Sequence, residues 1–405
     1  MPYLKRSLEA VVTRAAREFP AVVITGPRQS GKTTLLTHLF ASRLRLVSLE
    51  PPDVRAAAEA DPRGFLDLYP APVIFDEVQH APALLPYIKE RIDARRDQPG
   101  QYLLTGSQNL QLAQGVTESL AGRVAVLRLL PMTERELASK SGAPLPWERK
   151  GVPHPARSRS PKQLWTRFLR GYYPEPATSP RKDASLWQAG YVQTYLERDV
   201  RSVRQVGDLS RFQAFLRLLA ARSAQLLDLS GLSRDLGVAV NTVKAWLSVL
   251  EATYQVVVLR PYFSNTGKRL VKAPKVYFMD VGTLCYLAGL RDPMHAMAGP
   301  MGGAIFETAV IGEVYRTLAH RGVEPRLYFW RTAAGTEVDL IVETDSGLVP
   351  VEVKLGSTPN PAMAKGIEAF RRDCEGRVGK GFVIHTGAEV LPLGSSVLAW
   401  PFDAL

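Results

Sequence analysis

Eight consecutive residues near the start of this 405-residue sequence have the spacing of a phosphate-binding loop. They are Gly26-Pro27-Arg28-Gln29-Ser30-Gly31-Lys32-Thr33, and the backbone N–H groups of such a loop wrap a triphosphate. Lys32 would neutralise the β and γ phosphates, and Thr33 would bind Mg²⁺ through its hydroxyl. The helix that begins at Lys32 would direct its positive dipole end towards the anion. The stretch therefore predicts a site for a nucleoside triphosphate with Mg²⁺.

Two adjacent acids, Asp76 and Glu77, end an apolar run that starts at Pro72. A strand that ends in this way brings a carboxylate beside the phosphate loop, so Asp76 would hold Mg²⁺, usually through water. Glu77 would orient and deprotonate the attacking water. After the next apolar run, Ser107 is expected to sense the γ-phosphate. The residues expected to bind the nucleotide and its Mg²⁺ are Gly26, Pro27, Arg28, Gln29, Ser30, Gly31, Lys32, Thr33, Thr34, Asp76 and Ser107.

Arg123 follows Gly122 directly before a fifth apolar run. At a loop edge its guanidinium would stabilise the charge that develops on a nucleotide during hydrolysis, including a nucleotide bound by a neighbouring subunit of a homo-oligomer. A surface arginine with no part in the chemistry explains the position equally well. Arg123 is therefore a candidate catalytic residue, together with Lys32 and Glu77.

A second group of chemical residues lies near the C-terminus, where two alternating runs flank the turn residues Thr344 to Gly347. If this turn closes a hairpin, Asp339 lies opposite Glu352, and Glu337 lies opposite Lys354. The alternation would turn six aliphatic residues to the other face: Val338, Leu340, Val342, Val349, Val351 and Val353.

Oxygen atoms on adjacent strands suit a divalent cation, and a lysine beside them can orient water or stabilise a developing phosphorane. A helix upstream would bring Glu307 to the same metal. Glu307, Asp339 and Glu352, with Lys354, thus predict a second metal site able to cleave phosphodiesters. The alternative is a retained fold in which ion pairs satisfy one another across the hairpin.

Hydrophobic periodicity predicts the elements that position these residues. Five short apolar runs are typical of buried parallel strands, at residues 21–25, 44–49, 72–77, 102–105 and 124–129. The first run leads into the phosphate loop and then into an apolar helix, which is a strand–loop–helix unit. We therefore predict an α/β fold, a P-loop NTPase parallel sheet with helices on both faces.

The middle of the chain begins with a basic run. Between Arg149 and Lys182, nine basic residues accompany a single acid, Glu175. This composition fits either a solvated connector or an arm that contacts phosphate. Amphipathic helices are predicted to follow at 187–206 and 209–224.

A helix-turn-helix pattern comes next. One helix ends at Gly237, and a second, capped by Asn241 or Thr242, covers residues 243–250. In such a unit, five residues would contact DNA: Asn241, Thr242 and Lys244 near bases, and Lys268 and Arg269 of a predicted wing near phosphate. A lid or a protein-contact module has the same pattern.

Composition limits the class of protein. A charge of +12 favours polyanionic partners such as nucleic acid, and 46% apolar residues describe an ordinary globular chain. The two cysteines, Cys285 and Cys374, are far apart and indicate a reducing compartment. Because the sequence has no signal peptide and no stretch that could span a bilayer, we expect a cytoplasmic protein without a membrane partner.

The motifs are similar to those of a known family, the predicted AAA-type ATPases of bacteria and archaea that carry a C-terminal domain of unknown function. The stretches that carry this resemblance are residues 26–36, 74–79, 105–107, 120–123, 195–200, 274–280 and 337–339. The resemblance implies an ATP-binding core, a helical and winged-helix middle, and an end like restriction endonucleases. Glu307, Asp339, Glu352 and Lys354 resemble the active-site pattern of restriction-endonuclease-like and Holliday-junction-resolving enzymes.

We divide the chain into an AAA-type ATPase domain (1–145), a basic linker and helical region (146–207), a winged-helix-like domain (208–295) and a restriction-endonuclease-like α/β domain (296–405). The predicted function is Mg²⁺-dependent ATP hydrolysis coupled to the binding or processing of DNA. The alternative is a nucleotide-driven switch or assembly protein whose C-terminal module binds a partner and cuts nothing.

Overall fold

The first sheet of the protein is entirely parallel. A computed structural model describes residues 3–106, 119–151, 159–196, 209–262, 272–374 and 376–405. Its first five strands are β1 (Ala21–Thr25), β2 (Arg45–Ser48), β3 (Val73–Asp76), β4 (Tyr102–Gly106) and β5 (Val124–Arg128). They form one sheet in the order β2-β3-β4-β1-β5. All four pairings are parallel, which confirms the predicted sheet.

Helices cover both faces of this sheet because successive side chains of each strand point in opposite directions. In β1, Val22 and Ile24 pack into one apolar cluster, and Ala21 and Val23 pack into another. Both clusters are buried, which explains why the first four residues of the strand are all apolar. The first helices along the chain are α1 (Glu9–Glu18), α2 (Lys32–Phe40), α3 (Pro52–Ala60), α4 (Pro62–Leu68) and α5 (Leu84–Ala94).

The remaining strands form a second, mixed sheet. They are β6 (Val256–Pro261), β7 (Lys275–Phe278), β8 (Leu327–Arg331), β9 (Glu337–Thr344), β10 (Gly347–Lys354), β11 (Gly381–His385), β12 (Leu391–Pro392) and β13 (Val397–Pro401). The order of the sheet is β12-β13-β11-β10-β9-β8-β6-β7. The sequence assigned β6 and β7 to a separate domain that ends at residue 295. The structure instead joins them to the C-terminal strands, because Arg260 of β6 pairs in parallel with Tyr328 of β8.

Helices surround this second sheet and link it to the first. They are α6 (Glu134–Leu137), α7 (Pro161–Arg170), α8 (Pro174–Thr178), α9 (Ala184–Tyr191), α10 (Leu209–Ala221), α11 (Leu229–Leu236), α12 (Val240–Ala252), α13 (Val281–Leu287), α14 (Pro293–Ala298), α15 (Gly302–His320) and α16 (Lys365–Asp373). The helix predicted at 187–206 is α9 followed by a π-helical turn, Val192–Leu196, and its remainder lies outside the described residues. Among the described residues, no helix has both the length and the apolar character needed to cross a bilayer.

Residues 161–178 form two packed helices, α7 and α8, and not a solvated connector. Trp165 and Phe168 of α7 are buried in the largest apolar cluster. The Arg159 guanidinium lies 2.9 Å from Glu134 and donates to Asp403 from Nε over 2.7 Å. Arg170 donates to the carbonyl of Pro176 over 3.0 Å. These arginines therefore contribute to internal packing and ion pairing.

The second helix of the helix-turn-helix begins earlier than predicted. α12 starts at Val240, so Asn241 and Thr242 lie in its first turn and do not cap it. Gly237 has φ 61°, a left-handed conformation that ends α11 and leaves only Val238 and Ala239 before α12. The predicted wing residues Lys268 and Arg269 lie outside the described residues.

The predicted C-terminal hairpin is β9–β10. Its pairing runs from Thr344 with Gly347 to Leu340 with Val351, so Asp339 and Glu352 are next in line, in the predicted register. One face assignment was wrong, because Val338 packs with Ile341 in a different cluster from Leu340. The register of β8 against β9 shifts between Tyr328 and Trp330, and the extra residue in β9 reverses the alternation there. On the face of β10 that carries Glu352, Leu348 is apolar and packs in the same cluster as Ile341.

Candidate functional site

The phosphate loop connects β1 to α2 and requires glycine at two positions. Gly26 has φ 151° and Gly31 has φ 95°, which side-chain-bearing residues rarely adopt. A Cβ atom at Gly26 would also lie 2.0 Å from the carbonyl oxygen of Leu129. The loop conformation therefore explains the two glycines, and α2 begins at Lys32 as predicted.

The polar side chains of the loop meet the end of β3. Thr33 donates its hydroxyl hydrogen to Asp76 Oδ1 over 2.7 Å, so the two residues expected to share Mg²⁺ are adjacent. Lys32 Nζ donates to the carbonyl oxygens of Gly26 and Pro27 over 3.1 and 3.0 Å, which holds the ammonium over the loop.

Thr105, at the end of β4, belongs to the same group of residues and was not predicted to do so. Its hydroxyl donates to Asp76 Oδ1 over 2.5 Å and accepts the backbone N–H of Glu77 over 3.0 Å. Its sequence signal is a hydroxyl residue that ends a strand beside the acidic strand. The Glu77 carboxylate follows Asp76 directly and accepts a hydrogen bond from Gln79. Ser107, the expected γ-phosphate sensor, lies outside the described residues.

Arg6 supports the loop from behind and was also missed. It is 4% exposed and donates to the Ser30 carbonyl over 2.9 Å and to the Leu130 carbonyl over 2.7 Å. The Ser30 hydroxyl is buried without a hydrogen-bond partner among the described residues. This orphaned donor, the adjacent Thr33 and Asp76 oxygens and the Lys32 ammonium together suit a magnesium triphosphate.

A pocket of about 370 Å³ opens beside the phosphate loop. Gly31 and Thr34 of the loop and of α2 line it, together with residues that include Tyr3 and Met132. Its lining is mostly apolar, and such a surface favours a flat, weakly polar group. The pocket is therefore suited to the base of a nucleotide whose phosphates occupy the loop.

Arg123 lies away from this loop. It precedes Val124, which pairs with Ala21 at the beginning of β1, whereas the loop follows Thr25 at the other end of that strand. Four residues of a strand span roughly 13 Å. The Arg123 guanidinium is engaged by Asp93, with Nε–Oδ1 and Nη2–Oδ2 distances of 2.6 and 3.0 Å. This position separates Arg123 from the phosphate loop of its own chain, and a role on the nucleotide of a neighbouring subunit stays a prediction.

The four residues predicted to form the second site line a single pocket of about 620 Å³. Glu307 reaches it from α15, Asp339 from β9, and Glu352 and Lys354 from β10. Asp339 Oδ2 accepts the backbone N–H of Val353 over 2.8 Å, and Glu352 Oε1 accepts Lys354 Nζ over 2.5 Å.

Two residues of β7 contact the acids of this pocket, Lys275 as a lining residue and Tyr277 through Glu307, and sequence patterns did not assign them to it. Lys275 Nζ lies 3.2 Å from Glu307 Oε1 and 4.0 Å from Asp339 Oδ1, and it forms an ion pair with Glu337. The Tyr277 hydroxyl donates to Glu307 Oε1 over 2.6 Å. Because all of β7 is buried, the signal would have been a lysine inside a buried strand, and burial is not visible in the sequence.

Burial and mutual repulsion perturb these carboxyl groups. Burial and the charge of Asp339 raise the pKa of Glu307 to about 7 and that of Glu352 to about 8. Burial also raises the pKa of Asp339, although Lys275 and Lys354 oppose this. Burial lowers the pKa of Lys275, but the carboxylates of Glu307, Asp339 and Glu337 outweigh it and raise this pKa above its ordinary value. Glu307 and Glu352 therefore hold a proton up to a higher pH than exposed carboxyl groups do, which lowers the negative charge of the pocket near neutral pH.

The fit of a divalent cation to this pocket is partial. Glu352 Oε2 is buried and has no hydrogen-bond partner among the described residues, as expected of an oxygen available to a cation. As the described side chains stand, however, no three His, Cys, Asp or Glu residues converge as a metal-binding group. The donor set is oxygen-rich, and the Lys275 ammonium lies among its members.

The helix-turn-helix presents a polar end. Asn241 and Lys244 are exposed at the start of α12, and Thr242 is half-buried. Behind them, Val243 and Trp246 pack into the largest apolar cluster. The exposed face has one basic residue among the three predicted to contact bases.

Three protein-family models match consecutive parts of the chain. Residues 18–138 match an AAA domain, residues 161–294 match a domain of unknown function (DUF8612), and residues 302–405 match another domain of unknown function (DUF4143). The first match contains the phosphate loop, Asp76 and Glu77. The third contains the acidic residues contributed by α15, β9 and β10.

Two curated relatives match almost the whole chain. They are the uncharacterized proteins Mb2031c of Mycobacterium bovis and Rv2008c of Mycobacterium tuberculosis, each 31% identical over 401 residues, which is 99% of this chain and 84% of the relative. Among solved structures, the Walker-type ATPase PABY2304 of Pyrococcus abyssi is 15% identical with a TM-score of 0.45, covering 69% of this chain and 94% of that one. The Thermotoga maritima RuvB Holliday junction branch migration motor is 15% identical with a TM-score of 0.28, covering 63% and 90%.

Proposed function

This chain belongs to the same family as the uncharacterized proteins Mb2031c and Rv2008c, and it carries an AAA domain ahead of a C-terminal domain of unknown function. From that premise we propose that it couples Mg²⁺-dependent ATP hydrolysis to the binding and processing of DNA. Lys32 would bind the β and γ phosphates, and Thr33 and Asp76 would hold Mg²⁺. Glu77 would orient the attacking water and accept its proton.

The observation that carries the DNA-processing part is the pocket that gathers Glu307, Asp339, Glu352 and Lys354 from three elements. Carboxylate oxygens on adjacent strands are suitable ligands for Mg²⁺ or Mn²⁺, which would polarise a scissile phosphate. Lys354 is 40% exposed in its side chain, so its ammonium can reach both Glu352 and a bound phosphodiester. The unpartnered Glu352 oxygen supports a cation at this position.

Two observations favour DNA as the substrate class: the net charge of the chain, and the connection of the acidic pocket to the helix-turn-helix. The net charge of +12 favours a polyanion. Ala224 and Leu226, in the segment between α10 and α11, line the acidic pocket. This segment leads into the helix-turn-helix, so the helix-turn-helix is connected directly to the acidic pocket. Its exposed residues Asn241 and Lys244 on α12 would bind DNA.

A second function, a nucleotide-driven switch that binds a partner and cuts nothing, is favoured by one observation. Lys275 forms ion pairs with Glu337 and Glu307 and lies 4.0 Å from Asp339, so the acids are partly compensated by side chains of the chain itself. In this alternative the pocket would stabilise the junction of β7 with the C-terminal strands and would need no cation.

The two functions differ in a cleavage and binding experiment. The full-length protein is incubated with linear and branched DNA, with Mg²⁺ or Mn²⁺, with and without ATP, beside Asp339→Ala. The matched control is Asp345→Ala in the turn of the same hairpin, where the side chain is fully exposed. We expect cleavage that Asp339→Ala abolishes and Asp345→Ala retains. If the folded parent protein neither binds nor cuts any DNA at low salt, the switch function replaces this proposal.

A further inference from the structure

The acidic pocket contains a lysine that comes from outside the C-terminal module. Lys275 begins β7, which lies in the part of the chain matched by the second family model, whereas Glu307, Glu337 and Asp339 lie in the part matched by the third. Lys275 is 3% exposed, so its ammonium is shielded from water and lies among carboxylates. A charge buried in this way is retained only when its partners compensate it.

The backbone holds Lys275 at this position from two sides. Lys275 pairs with Leu259 of β6 on one side and forms an isolated bridge with Leu226 on the other. Ala224, two residues before Leu226, has φ 64° and donates its N–H to the Val276 carbonyl over 2.8 Å. This conformation is unfavourable for alanine, so the segment between α10 and α11 is held against β7 at a cost in free energy.

The side chain of Lys275 occupies the space between acids that would otherwise face one another. Its ammonium is 3.2 Å from Glu307 and 4.0 Å from Asp339, and it contacts Glu337. With the lysine there, the described carboxylates do not converge as a metal-binding group. Glu352 Oε2, which belongs to the same pocket, is buried and unpartnered among the described residues.

We propose that Lys275 is the resident cation of the acidic pocket and that a divalent cation binds there by displacing its ammonium. This inference rests on the proposed metal-dependent function of the pocket. The displaced ammonium would leave Glu307 and Asp339 free to turn towards the cation, and Glu352 Oε2 would gain its missing partner. Since Lys275 is anchored to the segment between α10 and α11, the position of the helix-turn-helix would govern how readily the cation enters.

The test measures metal affinity and not cleavage. Mn²⁺ binding to the full-length chain without nucleotide is followed by calorimetry and by competition against Tb³⁺ luminescence, and the acidic site is the one that Asp339→Ala removes. We expect Lys275→Met to lower the Kd for Mn²⁺ at this site by at least about tenfold, because a competing positive charge about 4 Å away has been removed. Lys275→Arg, which keeps the charge, should bind Mn²⁺ as the parent does.

Lys272→Met is the matched control, because Lys272 is exposed three residues earlier on the same segment, and its Mn²⁺ affinity should equal that of the parent. If Lys275→Met does not fold, as judged by its thermal transition, Lys275→Gln keeps a hydrogen-bond donor for Glu307 and removes the charge. An equal or weaker Mn²⁺ affinity in the folded charge-free variant overturns the role of Lys275 and leaves the proposed function standing. Absence of this Mn²⁺ site in the parent and in the charge-free variant overturns both.

Discussion

The ring of His320 accepts a hydrogen bond at Nε2 from the backbone N–H of Leu130 over 3.0 Å. Its other nitrogen, Nδ1, lies 3.2 Å from Glu136 Oε1, and Glu136 Oε2 lies 3.1 Å from Arg6 Nε. Arg6 in turn donates to the Ser30 carbonyl of the phosphate loop. A buried polar chain therefore connects the phosphate loop to the last residue of α15, the helix whose first half supplies the acidic pocket.

His320 should make the stability of the protein sensitive to mild acid. Burial lowers the pKa of His320 below the ordinary 6.5. Protonation of Nε2 would place an N–H group against the backbone N–H of Leu130, so two donors would face each other. The unfolded chain therefore binds the proton more readily, and the stability from the neutral ring is lost as the pH falls below 6.5. His320→Gln, which keeps an acceptor and a donor, should reduce the fall in thermal midpoint between about pH 7 and about pH 5.5 by about 2 °C.

The control for this measurement is His295→Gln, since His295 is exposed on α14. Burial raises the pKa of Glu136, but Arg6 and His320 outweigh burial and leave that pKa below its ordinary 4.5. Glu136 therefore contributes to acid lability at lower pH than His320. Identical acid shifts in the parent and in His320→Gln would contradict the role given to the ring.

Glu77→Gln should separate nucleotide binding from turnover. The amide cannot accept the proton of the attacking water, so kcat should fall by at least about a hundredfold while the Kd for ATP stays within about twofold. Lys32→Ala should instead weaken ATP binding, because the triphosphate loses its ammonium partner. Glu90→Gln on α5, where Glu90 pairs with Arg63 at the surface, is the control. Unchanged turnover in Glu77→Gln would remove Glu77 from the chemistry.

Thr105→Val should lower ATPase activity without a change of side-chain volume. The valine removes the hydroxyl that bonds Asp76 Oδ1 and accepts the Glu77 N–H, so both acids lose an orienting contact. Loss of such an outer contact typically costs about tenfold to a hundredfold in activity or metal affinity. Thr105→Ser keeps the hydroxyl and should retain most of the activity. The measurement is kcat as a function of Mg²⁺ concentration for the parent and both variants. Equal Mg²⁺ dependence in the valine variant and the parent would show that Thr105 only fills space.

Arg123→Ala should leave kcat for ATP within about twofold of the parent, because Asp93 engages the guanidinium at the edge of the sheet opposite the phosphate loop. The matched control is Arg63→Ala, which breaks the comparable bidentate pair with Glu90. The assay is steady-state ATPase at several protein concentrations. A large loss of kcat at unchanged KM, seen only with Arg123→Ala, would mean that Arg123 acts on the nucleotide of a neighbouring subunit.

Local chemistry made the phosphate loop and its strand predictable from the sequence. The glycines at 26 and 31 lie where the backbone has positive φ, and the run before them has the apolar pattern of a strand buried on both faces. The hairpin was predictable for a similar reason, since a short turn fixes which residues of two adjacent strands face each other. These relations join residues that are close in sequence, so spacing alone expresses them. The predicted start of α12 was three residues too late, because the sequence specifies the ends of a helix only weakly.

Tertiary structure decided the relations between residues far apart in the chain. Lys275 meets Glu307 because β6 pairs with β8 and brings β7 into the C-terminal sheet, and no spacing in the sequence records that pairing. Arg6 reaches the phosphate loop, and His320 reaches Leu130, through side chains whose burial exists only after the chain has folded. The sequence by itself determined which residues can bind a triphosphate or a cation. The packing of distant elements determined their partners, since burial and charge neighbours set how strongly each group binds.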